Sequence, residues 1–276
     1  MGTEGYNQER GKKVVCGSWR AGWRSRFVVA VALQLLLSLA HPGCLNAAEL
    51  TVAAAADLRF AFAEIGRAFE QETGTTVIFS FGSTGLLAKQ IEQGAPFDVF
   101  AAANLTFLDK LRDRGLVIDD SRQLYARGRI VLAVSKKTRL SATQLPDLLQ
   151  SGIKAIAIAN PQHAPYGLAA QQAMEKLGIW DRVRPKLVYG ENIRHTLQLI
   201  QTGNAEAGVI ALSVANAPEI SWTLIPDDLH APIDQALAII KGTRMEVQAR
   251  RFIHYLNQPA GRLVMKKYGF LLPGEF

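Results

Sequence analysis

TVIFSFGSTGLLAKQIEQG, residues 76–94, changes its hydrophobic period part-way along. Thr76 to Phe81 is β-branched and aromatic, as a strand requires, whereas Leu86 to Gln93 spaces its apolar residues for a helix that stops at Gly94. Between them Gly82-Ser83-Thr84-Gly85 makes a small hydroxyl-bearing turn. A helix opening there aims unpaired N–H groups and the positive end of its dipole at the turn, an arrangement suited to an oxyanion. Neither a Gly-Lys-Ser/Thr nor a G-x-G-x-x-G occurs at this point, so a nucleotide is not indicated and the guest is small. Taken alone, the same residues serve equally well as a local helix cap.

The alternation continues outward in both directions. Leu50 to Ala55 reads as a strand, Asp57 to Thr73 as a helix stopped at Gly74, Asp98 to Ala102 as a strand and Leu105 to Arg114 as a helix stopped at Gly115. Leu58, Phe62, Ile65 and Phe69 form the apolar stripe of the first helix. This βαβαβα order predicts a parallel sheet clothed by helices. A strand at Arg129 to Val134 then leads to a second unit: strands Ala155 to Ala159, Lys186 to Tyr189 and Ala207 to Leu212, with helices Leu168 to Leu177 and Ile193 to Thr202. Within it, Asn160-Pro161-Gln162-His163-Ala164-Pro165-Tyr166-Gly167 is a second turn between strand and helix, so two donor turns face one candidate cleft. Beyond Pro218, Pro226 and Pro232, a strand at Gln235 to Lys241 and helices at Glu246 to Leu256 and Ala260 to Lys267 close the chain. A tail that packs back on the first unit makes two crossings between the lobes.

The first 48 residues read as a secretory signal peptide: a basic start with Lys12, Lys13, Arg20, Arg24 and Arg26, an apolar Phe27 to Ala40, and small residues up to Ala47-Ala48. The apolar run is shorter than the ~20 residues of a membrane span. Cys44 follows His41-Pro42-Gly43 rather than the aliphatic and small residues of a lipidation site, and both cysteines, Cys16 and Cys44, leave with the leader. Six of the 31 Lys/Arg and two of the 24 Asp/Glu lie in that leader, so the remaining 228 residues carry about +3 instead of +7. They hold no basic run of the kind that tracks nucleic acid, and 228 residues suit two lobes of ~100 residues each.

Among candidate chemistries, His163, His195, His230 and His254 make no metal-ligand spacing, and Ser83 sits in no G-x-S-x-G elbow. Neither a metal cation nor an enzyme is therefore expected. His163 is expected to bond backbone within its turn, and Asp98 to anchor a strand end or a hinge.

Five blocks in register, Thr51-Val52 to Ala56-Asp57-Leu58, Phe81 to Gly85 with Lys89-Gln90-Ile91, Gly94 to Phe100, Asn160 to Gly167 and Lys267 to Phe270, resemble the periplasmic molybdate-binding proteins of ABC transporters. The resemblance runs from Glu49 to Phe276. It implies a two-lobed α/β class II periplasmic binding-protein fold, each lobe a mainly parallel sheet flanked by helices, with two crossing segments as hinge. Residues 49–127 and 226–276 would form one lobe and 128–225 the other. It further implies a tetrahedral oxyanion ligand, molybdate or tungstate, held by neutral hydroxyls and helix-start amides without cofactor or metal cation. The contacts fall on Ser83 and Thr84 in one lobe and on Tyr166 and the backbone of Ile193 in the other, with Asn192 as the cap that fixes the last helix. The implied partner is an ABC permease in the inner membrane, the protein itself being a periplasmic monomer. Another oxyanion such as phosphate or sulfate, or an exported transferase or hydrolase on the same fold, are the alternatives.

Two departures from the family pattern matter. Ala211 stands where some members carry a strand tyrosine, which makes Tyr166 the substitute donor. Asp57 stands where a serine or similar donor is common. An ionised carboxylate there repels a dianion, so Asp57 either caps its own helix, the preferred reading, or accepts a proton from a protonated oxyanion.

Overall fold

The computed structural model describes residues 49–276; the leader and both cysteines lie outside the described residues. Strand β1 (Glu49–Ala55) passes through a 3-10 turn (Ala56–Leu58) into α1 (Arg59–Thr73). There follow β2 (Thr76–Gly82), α2 (Thr84–Glu92), β3 (Val99–Ala102) and α3 (Leu105–Asp113). The strands β4 (Gln123–Gly128) and β5 (Ile130–Ser135) are separated by Arg129 alone. Next come β6 (Ile156–Ala159), α4 (Pro165–Lys176), α5 (Trp180–Val183), β7 (Leu187–Gly190), α6 (Ile193–Thr202), β8 (Ala207–Ala211) and β9 (Ile220–Leu224). The chain ends with β10 (Ile233–Ile239), α7 (Glu246–Asn257) and α8 (Pro259–Lys267).

Ten strands form two sheets of matching plan, β2-β1-β3-β10-β4 and β7-β6-β8-β5-β9. The outer three strands of each plan, joined through helices, pair in parallel. The other two pairings of each sheet are antiparallel, so the sheets are mixed and not mainly parallel. Topology requires this. Strand β4 leaves the first lobe where β10 returns to it, and β5 enters the second lobe where β9 leaves it, so neighbours at a crossing must run in opposite directions.

Other elements depart from the sequence reading. The short helix α5 and strands β4 and β9 are additional to it, and α4 begins at Pro165, three residues earlier than the apolar pattern suggests. Proline is preorganised for the first helical position and has no N–H to leave unpaired, which places Tyr166 inside the first turn of the helix.

The first lobe has an aromatic core. Phe62 and Phe69 of α1 meet Phe252 of α7 edge-on at 5.9 and 5.4 Å, and Phe62 also packs on Phe79 and Tyr125. Lys267 and Tyr268, at the end of α8, bond Glu64 on α1, so the C-terminal tail is fastened to the first lobe. The second lobe is aliphatic, with Leu197 and Ile200 of α6 buried with Ile158 and Val209 of β6 and β8. Asp98 joins strand ends: one carboxylate oxygen accepts the Thr51 N–H and hydroxyl, each at 2.7 Å, and the other accepts the Thr243 hydroxyl.

Phe252 has no exposed surface, so Phe252→Ala should lower unfolding free energy by about 3–5 kcal/mol in urea titration. Val247→Ala on the same helix, where the side chain is 68% exposed, should change it by no more than about 0.5 kcal/mol.

Candidate functional site

Four helical turns begin at the carboxyl ends of parallel strands and meet at the seam between the sheets. Two belong to the first lobe, the 3-10 turn after β1 and α2 after β2; two belong to the second, α4 after β6 and α6 after β7. Ligands of open α/β sheets gather at such strand ends. The four starts line one cavity through Ala56-Asp57, Ser83-Thr84, Pro165-Tyr166 and Asn192-Ile193. Its volume is about 10 Å³, on the measure by which a single water needs about 10–15 Å³, so the cavity is narrow and leaves no room for a nucleotide.

Each start has its own local cause. Asn192 caps α6, its Oδ1 accepting the N–H groups of Arg194 at 3.0 Å and His195 at 3.1 Å. The first helical amide, that of Ile193, is not among those the cap satisfies. Ser83 holds the N-cap position of α2 in extended backbone but makes no side-chain cap bond. Its hydroxyl instead donates to the carbonyl of His163 at 2.6 Å and lies 2.8 Å from His163 Nδ1. The Gly85 N–H donates to the same carbonyl at 2.9 Å, so α2 is latched to the turn of the opposite lobe. A Cβ on Gly85 would stand 2.9 Å from both that carbonyl and the Phe107 ring. Burial holds the His163 imidazole below the usual histidine range, against the pull of Glu191. Thr84 Oγ1 accepts the Ala103 N–H at 3.2 Å, which leaves its own hydrogen to donate within the cavity.

Asp57 does not cap its helix: neither the 3-10 turn nor α1 receives a side-chain cap bond. The preferred sequence reading is corrected here. The carboxylate is buried, and Oδ2 accepts the Tyr166 hydroxyl at 2.8 Å and Gln235 Nε2 at 2.7 Å. Gln235 Nε2 also lies 2.8 Å from the Tyr166 oxygen, and Tyr125 donates to Gln235 Oε1 at 2.8 Å. Two neutral donors from distant strands and helices outcompete the local amides because a buried charge needs every bond it can get. Burial pushes the Asp57 carboxyl up to about 6 despite the hydrogen bonds from Gln235 and Tyr166. Burial, reinforced by the Asp57 charge, pushes the Tyr166 and Tyr125 phenols well above the usual range.

Ser83, Thr84, Tyr166, Ile193 and Asp57 all stand in the wall of this one cavity. Two of them are not independent, since the Tyr166 hydroxyl spends its hydrogen on Asp57. The phenol also lies so close to the crossing strand that a Cβ on Gly128 would fall 2.0 Å from its oxygen. Ala211 is fully buried at the end of β8 and is not part of the wall. Sequence reasoning missed Gln235, Tyr125 and Ser213, whose hydroxyl donates to the Asp57 carbonyl at 2.9 Å. One signal was present: Gln235 is a lone amide in the apolar strand IDQALAI. Among the described residues, no group of three or more His, Cys, Asp or Glu is placed to hold a metal ion.

The family described as bacterial extracellular solute-binding protein matches residues 50–271. The molybdate-binding protein ModA of Azotobacter vinelandii is 39% identical over 89% of this chain and 97% of its own. That of Rhodobacter capsulatus is 35% identical over 88% and 95%. The solved periplasmic molybdate-binding protein of A. vinelandii superposes with a TM-score of 0.76 at 32% identity, over 81% of this chain and 99% of that one. The two-lobed α/β fold is thus that of the class II periplasmic binding proteins, and the chain belongs to the ModA family of molybdate-binding proteins.

Proposed function

We propose that the chain is the substrate-binding component of an ABC importer that captures molybdate, and its near-isostere tungstate, between the lobes and hands it to a permease in the inner membrane. The observation that carries the reading is the convergence of four helical starts, two from each lobe, on one small cavity walled by hydroxyls and amides. Each helix start contributes about 0.3–1 kcal/mol at an exposed site and up to about 2 when partly buried, so several must converge to offset the desolvation of a dianion.

On this reading the Thr84 hydroxyl and the first-turn amides of Thr84 and Ile193 donate to the oxyanion, and the Ser83 hydroxyl rotates from His163 toward it. Tyr166 and Asp57 complete the wall as one hydrogen-bonded unit. Residues 49–127 with 226–276 act as one lobe and 128–225 as the other, turning about the crossings at Arg129 and at Ile225 to Pro232. The latch between the Gly85 N–H and the His163 carbonyl forms as the lobes close. The chain works as an exported monomer with no cofactor and no turnover of its ligand; the signal peptide is removed on export.

A thermal melt tests the reading. Molybdate or tungstate at one hundred times Kd should add about 2.7 kcal/mol of apparent stability, while sulfate and phosphate at the same concentration add much less. Equal stabilisation by all four, or by none, would defeat the assignment. Gly85→Ala places a methyl group against the His163 carbonyl, so calorimetry should find molybdate binding at least about tenfold weaker, or about 1.4 kcal/mol. Unchanged affinity would mean that the latch is not part of the closed, loaded state.

A further inference from the structure

Asp57 places a carboxylate in the wall of a cavity read as an anion site. It is 1% exposed, and among the described residues it has no Lys or Arg ion-pair partner. Its partners, Tyr166 and Gln235, are neutral, and both bond Oδ2; Oδ1 receives neither. A carboxylate and a dianion sharing a small desolvated space repel each other strongly, because little solvent screens them.

We infer that Asp57 occupies the loaded site as the neutral acid, so that capture of one dianionic tetrahedral oxyanion is coupled to uptake of one proton, carried on Asp57 Oδ1. The inference rests on the oxyanion reading of the same cavity and deepens it. In the step, a proton leaves solvent, an O–H bond forms at Oδ1 and the carboxylate charge is lost; no other bond forms or breaks. Oδ2 becomes the carbonyl oxygen and keeps its hydrogen bonds from Tyr166 and Gln235, so the network persists through protonation. The new O–H is a donor where the carboxylate could only accept.

The sign follows from linkage. In the free protein burial has already raised the carboxyl to about 6, and a dianion alongside raises it further. Above that pH the free protein holds the carboxylate and the loaded protein the acid, so binding takes up protons and affinity falls as pH rises, by up to about tenfold per pH unit. Below it the carboxyl is protonated before binding, and the uptake disappears.

The Asp57 network includes the Tyr166 phenol on α4 and the Tyr125 phenol on β4, while the Arg59 guanidinium on α1 lies over the Phe81 ring. Helix α6, which packs on the 3-10 turn, carries Arg194 and His195 in its first turn, and His163 is joined to Ser83. The phenols are held well above their ordinary range by burial, and burial holds the His163 imidazole below its own.

Calorimetric titration of micromolar molybdate into the mature protein, in buffers of different ionisation enthalpy between about pH 6 and about pH 8, counts the protons directly. The expected result is close to one proton taken up per molybdate at about pH 7.5, retained in His163→Gln and His195→Gln and absent in Asp57→Asn, whose affinity should be flat with pH. A second readout on the unaltered protein is infrared difference spectroscopy, in which molybdate at about pH 7.5 should create a protonated-carboxyl band. Binding without proton uptake and without that band overturns the inference and leaves the oxyanion reading standing. Uptake that survives in Asp57→Asn overturns it as well. Absence of binding by molybdate, tungstate, sulfate and phosphate alike overturns the oxyanion reading, and this inference with it.

Discussion

The first amides of a helix find no acceptor within their own helix, and this protein collects four sets of them at one place. Everything else in the architecture serves that convergence. Each set sits at the carboxyl end of a parallel strand, β1, β2, β6 or β7, and parallel strands end at the same edge of their sheet, so the helices that follow them start there together. The two sheets share a strand plan, so each lobe brings two helical starts to the seam. Neutral dipoles hold an anion without creating a permanent cation that would bind any passing carboxylate.

The exception to this neutrality is Asp57. A buried carboxylate with no cation to pair with is costly, and the network around it is drawn from both lobes: Gln235 and, bonded to it, Tyr125 lie on strands of the first sheet, Tyr166 on a helix of the second lobe. The tetrad therefore does two things at once. It joins the lobes beneath the cavity, and it sets the charge of the wall. Partial satisfaction of such a network costs more than its absence, which is why its four members are packed with little freedom.

Much of the plan could be read from local signals. The helix stops read at Gly74, Gly94 and Gly115 coincide with left-handed glycines, and α6 begins after Asn192 as expected and ends before the left-handed Gly203. Strand β9, ISWTL, does alternate apolar and polar residues as a strand would, a local signal the sequence reading passed over; it lies largely exposed along the edge that β5 offers it. What else escaped the reading was set by distant pairing. Strand β4 exists through β10. The direction of the Asp57 side chain depends on Gln235, far along the chain, whereas a local rule pointed it at its own helix. Ser83 and Thr84 were legible in a local strand-to-turn-to-helix signature, whereas Tyr166 and Ile193 were singled out through the family resemblance; the bonds of Tyr166 were not legible.

The place of β10 has a consequence for how the molecule assembles. It lies between β3 and β4, yet every strand of the second sheet is synthesised before it. Until β10 arrives, the first sheet lacks the strand between β3 and β4, each of which presents an unpaired edge. The second sheet, by contrast, comes from one uninterrupted length of chain, β5 to β9, and can form at lower loop-closure cost. Contact order thus favours the second lobe forming first, the first lobe being complete only when β10 enters between β3 and β4.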